Sequence, residues 1–367
     1  MSKSNFRKRQ AEDLKIATSV VASFSDERLL EVQGFVDDLL EFRKVKKLRD
    51  TYSDGIKTSL ENTGNGRIYV TYNLDGAVTG RLSNSGMNIT PNRKKEGKIG
   101  VSFHTLPREQ EDFNIRNVVI APPGYKFITA DKKAMELRIL AHVADEKNMI
   151  KAFEDGLDLH TYSASMTFNK DPEDITKLER QISKEVSFLT VYGGTASTLA
   201  NKRGISEHKA QTIIDNWMAA FPRVPVYMAT VREYIEEHEY INTIFGRRRH
   251  LPNIKSPFRK VREEAYRQGL NFTIQSPASD VLLCSMLGID EAIRSRGMKA
   301  TIVATVHDSV EMICPDEEVD DLLKIVYSQM VNYPYLRKYF GMELKVPLDI
   351  DIEVGTSFGN GERVEFD

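Results

Sequence analysis

A chain of 367 residues is long enough to bury large cores and to divide into two or three domains. Its 41% apolar and 28% charged content is that of an ordinary soluble globular protein, and no run of about 18 apolar residues predicts a membrane span. The net charge of -2 gives no global sign of a polyanionic partner. The cations are nevertheless clustered: Lys44, Lys46, Lys47 and Arg49; Arg93, Lys94 and Lys95; Arg247, Arg248 and Arg249; Arg259, Lys260 and Arg262. Local basic surfaces of this kind can hold phosphate backbones while acidic surface elsewhere cancels the total. The start, Met1 to Arg9, is basic but no apolar segment follows, so no secretory signal is expected. Cys284 and Cys314 are too few for a disulfide framework, which suggests a reducing cytosol.

Residues 1–25 read as a polar, partly ordered lead-in. From Asp26 to Arg49 apolar residues fall at helical spacing (Leu29, Leu30, Val32, Phe35, Val36, Leu39, Leu40, Phe42), and a basic helix end continues to Tyr52. A turn at Asn62–Arg67 precedes an alternating strand, Ile68–Tyr72. Tyr125–Ala130 is predicted to be a strand ending at Asp131, with a helix from Met135 to Val143 after it. Residues 145–256 are helix-rich, with breaks at Gly156, Asp171-Pro172, Gly193-Gly194, Gly204 and Phe221-Pro222. Arg262 to Gly288 forms one long helical pattern, interrupted near Ser276-Pro277. Two short apolar strands, Thr301–Val306 and Val310–Cys314, flank His307-Asp308-Ser309 as a hairpin. A helix from Glu317 to Asn332 and a strand from Val346 to Val354 close the chain.

Two features carry chemistry. Arg180, Lys184, Phe188 and Tyr192 recur every four residues, which a helix places on one face over about 18 Å. Cations at one end could grip phosphates and aromatics at the other could stack a base, whereas the bland reading is a solvated edge beside two core aromatics. Gly193-Gly194 then ends the helix, since glycine takes the left-handed conformation a helix C-terminus often needs. Second, Asp131 ends one apolar strand and Asp308 sits in a hairpin between two others. If these strands share a sheet, the carboxylates meet at one edge, as two-metal phosphoryl transfer requires. A lone aspartate at a strand end is more often a turn residue or helix cap.

Arg180-x3-Lys184-x3-Phe188-x3-Tyr192-Gly193 resembles the fingers-helix motif of the A-family DNA polymerases. Further segments agree in order: Lys44–Tyr52 with the thumb helix; Thr79-Gly-Arg81-Leu-Ser83; Ala130 to His142 with the first palm motif; Asp158-x-His160-Thr161; Gly246-Arg-Arg-Arg249 with Leu251-Pro252; Arg262-x4-Arg267-x3-Asn271-Phe-x-Ile-Gln275; and Val306-His307-Asp308 with the second palm motif.

The resemblance implies an α+β right-hand fold, with an antiparallel palm sheet, helical fingers and a short helical thumb. It divides the chain into a thumb (26–62), palm (63–144 and 257–367) and fingers (145–256). It implies template-directed addition of deoxynucleotides to a primer 3′-hydroxyl, with primer–template DNA and dNTPs as partners. Asp131 and Asp308 would hold two Mg2+ ions, helped by the backbone carbonyl of Lys132. Arg180, Lys184 and His160 would hold the triphosphate, with Lys184 a candidate general acid. Phe188 and Tyr192 would stand at the base pair, and Glu136 would exclude a 2′-hydroxyl. Arg81, Arg267, Asn271, Gln275 and His307 would contact DNA.

The chain departs from the pattern at Lys132-Lys133-Ala134, where Tyr-Ser-Gln is usual. Ser309 replaces a glutamate, Ser187 replaces an asparagine, and the segment after Ser83 lacks a glutamine and a proline. These departures keep a rival open, a catalytically weak or silent primer–template binding module. A single-subunit RNA polymerase is a second rival, opposed by Glu136, Phe188, Thr79–Arg81 and Asn271–Gln275. Asp349-Ile-Asp351-Ile-Glu353 is expected at the palm edge rather than in a proofreading site. A polymerase domain alone is expected, either trimmed from a longer protein or served by separate exonuclease or helicase partners. That arrangement would suit a phage enzyme working in a host cytoplasm.

Overall fold

The computed structural model describes residues 26–88, 98–99, 101–107 and 114–365. The expected lead-in 1–25 and the cluster Arg93, Lys94 and Lys95 lie outside the described residues. The chain divides into two compact units, one drawn from residues up to 71 and from 85–102, the other from 72–84 and from 103 onward.

In the first unit, α1 (Asp26–Lys47) ends on Lys44, Lys46 and Lys47, cations that suit the negative end of a helix dipole. A π-helical turn, Leu48–Ser53, joins it to α2 (Asp54–Thr63). Gly64 closes α2 in the left-handed region, donating its N–H to Leu60. The expected strand at Ile68–Tyr72 forms two residues later, as β1 (Val70–Asn73). The end of β2 (Ser83–Asn88) pairs antiparallel with β3 (Lys98–Ile99).

The second unit is built on a five-stranded antiparallel sheet, ordered β10-β9-β4-β8-β7. Its members are β4 (Tyr125–Lys132), β7 (Thr301–Val306), β8 (Ser309–Pro315), β9 (Ile350–Gly355) and β10 (Glu362–Val364). The last expected strand thus begins at Ile350, not Val346. Side chains alternate across a sheet. Ile128, Ala130, Val310, Met312, Ile350 and Ile352 share one buried face. They pack there with Leu282 and Ile289 of α10 (Arg259–Ser295) and Leu322 and Val326 of α11 (Val319–Val331). The other face therefore receives Thr129, Asp131, Ser309, Glu311, Asp351 and Glu353.

Between β4 and β7 the chain is helical: α3 (Met135–Ala144), α4 (Lys147–Glu154), α5 (Leu159–Phe168), α6 (Lys177–Val191), α7 (Ala196–Arg203), α8 (Glu207–Ala220) and α9 (Arg223–His238). The hairpin of β5 (Tyr240–Asn242) and β6 (Arg248–His250) leads into α10. Each break expected from Gly or Pro separates two of these helices. Their core centres on Trp217 and Phe221, both fully buried. The Trp217 indole donates to Ser187 Oγ at 3.1 Å, and Ser187 Oγ to the Ser183 carbonyl at 2.9 Å. Ser187, one of the departures, thus serves the core of the helical part.

The long helix is not interrupted at Pro277; α10 runs through it. Proline removes one helical hydrogen bond and crowds the preceding turn, at about 3 kcal/mol. Phe272, Ile274, Ala278 and Val281 are buried in one core and Leu282 in the other, so packing on both sides offsets that cost.

Candidate active site

The pairing of β4 places Asp131 opposite Ser309, and the Lys132 N–H reaches the Asp308 carbonyl at 3.3 Å. His307 takes a left-handed conformation (φ 59°) in the tight turn that joins β7 to β8 and carries Asp308. β4, β7 and β8 thus share the one sheet on which the sequence reading depends, with Asp131 at the end of β4 and Asp308 in the adjoining β7–β8 turn.

Arg81 ties Asp308 to the rest of the site. Its Nη2 donates to Asp308 Oδ1 at 3.3 Å and to Glu136 Oε1 at 2.6 Å. Glu136 is 7% exposed and lies in the first turn of α3, where the helix dipole favours an anion. Its second oxygen accepts the Tyr192 hydroxyl, and burial together with that carboxylate raises the phenol well above its ordinary range. Gln275 also reaches this phenol. One network thus joins a DNA-contact candidate, the sugar-discriminating candidate, the fingers helix and a metal-holding candidate.

Lys132 contributes no side chain to this edge. It points to the opposite face of the sheet, where Nζ donates to the Met330 carbonyl at 2.8 Å and burial lowers the amine to about 7. Only its backbone carbonyl remains for the role predicted. Lys133 pairs with Asp349 at 2.8 Å and Asp351 at 3.4 Å, and Ala134 caps α3 in a left-handed conformation. The Asp349–Glu353 segment accordingly stands at β9 of this sheet.

The α6 face begins behind a capping box of Thr176 and Glu179. Arg180 makes two bonds to Asp158, at 2.7 and 3.1 Å, while Asp158 caps α5 through the Thr161 N–H at 3.1 Å. Burial works against the Asp158 carboxylate, but Arg180 and Thr161 more than offset it and hold it at about 2. His160, pushed down to about 4 chiefly by burial, is neutral at pH 7. Its ring lies 6.3 Å from Phe188, which in turn stacks 6.3 Å from Tyr192. Lys184, Phe188 and Tyr192 line a cavity of about 430 Å³. Gly193 ends the helix at φ 66°, directly under Arg267, whose Cγ would lie 2.3 Å from an added Cβ. Arg267 also pairs with Glu264.

Three candidate contact atoms are buried without an acceptor or donor among the described residues: Arg81 Nε, His160 Nδ1 and Asn271 Oδ1. Unpaired buried polar atoms are costly, so groups that bind a polar ligand are where they are tolerated. His307 stacks on His104, with ring centroids 5.4 Å apart. His104 Nε2 lies 3.0 Å from the Thr305 carbonyl, which also accepts the Tyr72 hydroxyl at 2.9 Å.

His104, Tyr72, Glu311 and Asp280, which pairs with Arg247 at 2.5 Å, were not singled out as site residues in the sequence, and Asp158 appeared only within the His160 segment. Asp158 stood two residues from His160, and Glu311 shares its strand face with Ser309, so both left a signal. His104 and Tyr72 left none, since only the tertiary fold brings them to the turn.

Magnesium prefers oxygen donors and usually takes one or two protein carboxylates together with substrate phosphates. No group of three or more His, Cys, Asp or Glu suited to a metal occurs among the described residues. Asp131, Asp308 in the neighbouring turn and the Lys132 backbone carbonyl would supply that partial donor set, and Arg81 holds Asp308 at 3.3 Å.

The model of DNA polymerase family A matches residues 2–360. The chain is 33% identical over 334 residues to DNA polymerase I of Chloroflexus aurantiacus, covering 90% of this chain and 33% of that protein. It is 31% identical over 358 residues to DNA polymerase I of Geobacillus stearothermophilus, covering 96% of this chain and 38% of that one. Among solved structures it is similar to the POL domain of Pol1 from M. smegmatis in complex with DNA primer-template and dNTP. That likeness has a TM-score of 0.79 and 31% identity, and covers 91% of this chain and 55% of the other. The chain thus spans about a third of the length of these curated relatives. With a family model matching nearly its whole length and the right-hand palm and fingers architecture, the chain belongs to DNA polymerase family A.

Proposed function

We propose that this chain is a template-directed DNA polymerase that extends a primer 3′-hydroxyl with deoxynucleotides. The observation that carries the reading is that Asp131 ends β4 beside the turn holding Asp308, which Arg81 ties to Glu136 and through it to Tyr192. Asp131, Asp308 and the Lys132 carbonyl would hold two magnesium ions, which when bound lower the pKa of the primer hydroxyl and neutralise the leaving pyrophosphate. Arg180 and Lys184 hold the triphosphate, and Lys184 gives a proton to the leaving group. Neutral His160 donates a hydrogen bond to a phosphate oxygen. Phe188 packs on the incoming base and sugar, Tyr192 stands at the template base, and Glu136 closes the space a 2′-hydroxyl would need. Arg81, Arg267, Asn271, Gln275 and His307 hold primer–template DNA. In this reading residues 26–62 are the thumb, 63–144 and 257–367 the palm, and 145–256 the fingers.

A reducing cytosolic setting agrees with the free, buried thiols of Cys284 and Cys314. No helix among the described residues is long and apolar enough to cross a membrane. Separate exonuclease or helicase partners remain part of the proposal.

Primer extension with magnesium, offered matched deoxy- or ribonucleotides, tests it. Deoxynucleotide addition supports the reading, ribonucleotide preference favours the RNA polymerase, and primer–template binding without extension favours the silent module.

A further inference from the structure

Ser309 stands where an acidic residue was expected beside Asp308, yet a carboxyl group is present two residues further on. A strand returns every second side chain to one face, so Glu311 lies on the face of Ser309 and Asp131. It is 1% exposed. Its Oε2 accepts from Thr129 Oγ1 at 2.6 Å, and its Oε1 lies 2.5 Å from Ser309 Oγ. Ser309 Oγ is in turn 2.9 Å from the Val306 carbonyl, across the turn that contains His307 and Asp308.

A hydroxyl has one hydrogen to give. Ser309 cannot donate both to Val306 and to an ionised Glu311. The chain closes if Glu311 carries the proton: Glu311 Oε1–H donates to Ser309 Oγ, and Ser309 O–H donates to the Val306 carbonyl. Burial, opposed by Ser309, Thr129 and Arg116 but reinforced by Asp131, pushes the Glu311 carboxyl up to about 7. Thr305 Oγ1 clamps the same turn by donating to the Ser309 carbonyl at 2.7 Å. A hydrocarbon side chain at 311 would fill this face without the cost of burying a carboxyl group. What it could not do is tie β4, through Thr129, to both ends of the turn.

We propose that Glu311 is a positioning residue for the reaction, acting through Ser309 to fix the Val306–Ser309 turn and so the placement of Asp308 against Asp131. The inference rests on the reading of Asp131 and Asp308 as the metal-holding pair. Glu311 itself touches neither substrate nor metal. A cavity of about 450 Å³, lined in part by Asp131, Ser309, Glu311 and Asp351, lies on the same face. A loosened turn would have room to shift there.

The test is single-turnover nucleotide addition by Glu311→Ala, Glu311→Gln and Ser309→Ala, with thermal melts of each. Glutamine keeps a neutral donor toward Ser309 Oγ and an acceptor for Thr129, so it mimics the protonated acid. The expected result is a fall in maximal rate of about ten- to a hundredfold in Glu311→Ala and Ser309→Ala, with dNTP affinity unchanged and Glu311→Gln within about threefold of the starting enzyme. Glu311→Ala at full rate, Gln as impaired as Ala, or a loss confined to dNTP affinity would each overturn the proposal. If Glu311→Ala does not fold, the contrast of Ser309→Ala with Glu311→Gln decides it on the same criteria. Asp131→Asn in the same assay separates the two readings. If it extends primers, the metal assignment fails; if it is dead while Glu311→Ala is unimpaired, only the positioning role fails.

Discussion

At Glu136 one carboxylate is shared between Arg81 and Tyr192, so its side chain is fixed from two sides and cannot swing away from a crowding sugar. Discrimination by exclusion needs only a penalty on the wrong substrate. Glu136→Ala is expected to raise ribonucleotide use relative to deoxynucleotide use by about a hundredfold or more. The comparison is kcat/KM for matched sugars, and an unmoved ratio would remove Glu136 from that role. Lys184→Ala is expected to slow incorporation by about a hundredfold while DNA affinity without nucleotide stays constant, because its charge matters most as the leaving group departs. A large loss of DNA affinity at an unchanged rate would move this face to the duplex. Lys132 gives a prediction about stability. Its amine is lowered to about 7 in the folded chain by burial, against about 10.4 unfolded. Between those values the unfolded chain holds a proton that the folded chain lacks, so this group makes stability rise with pH from about 7 to about 10.4. Lys132→Met keeps the backbone carbonyl and should raise Tm at pH 7, flatten that rise and leave extension nearly intact. A lower Tm at pH 7 would contradict the assignment. The sequence carried the identities of these residues but not their partners: Glu136 to Tyr192 spans 56 residues and Arg81 to Asp308 spans 227.

The helices were legible largely because glycine and proline mark where they stop. Gly193 shows the physical reason: it holds φ 66° at the end of α6 with Arg267 lying across it. Gly193→Ala adds both left-handed strain and a Cβ within 2.3 Å of Arg267 Cγ, and should destabilise the fold by about 1–3 kcal/mol. A thermal melt checks this, and an unchanged Tm would show that Arg267 yields freely. Proline misled at position 277, since local propensity expects a break and burial against two cores overrides it. Of the sheet order, only the β7–β8 hairpin was legible. β4 pairs with β8 and β9, strands almost two hundred residues or more away, and nothing in a local pattern says which neighbours an apolar strand will choose. Ser187 was read only as a departure from the asparagine usual on this helix, and the fold turns it inward to Trp217.

For the molecule as a whole, net charge says little and placement says much. A chain of net charge -2 carries carboxylates on one face of its sheet and cations on α6, with Arg81 bridging to the sheet edge. Under the proposed function, metal-holding falls to Asp131 and Asp308 and DNA-holding to other side chains. The most direct test measures the two properties separately in Asp131→Asn and Asp308→Asn, substitutions that remove a charge and keep the shape. Primer extension with magnesium should fall by at least about a hundredfold in each, while primer–template affinity stays within about threefold of the starting protein. Extension near the starting rate in either variant would contradict the assignment of these aspartates as the catalytic pair.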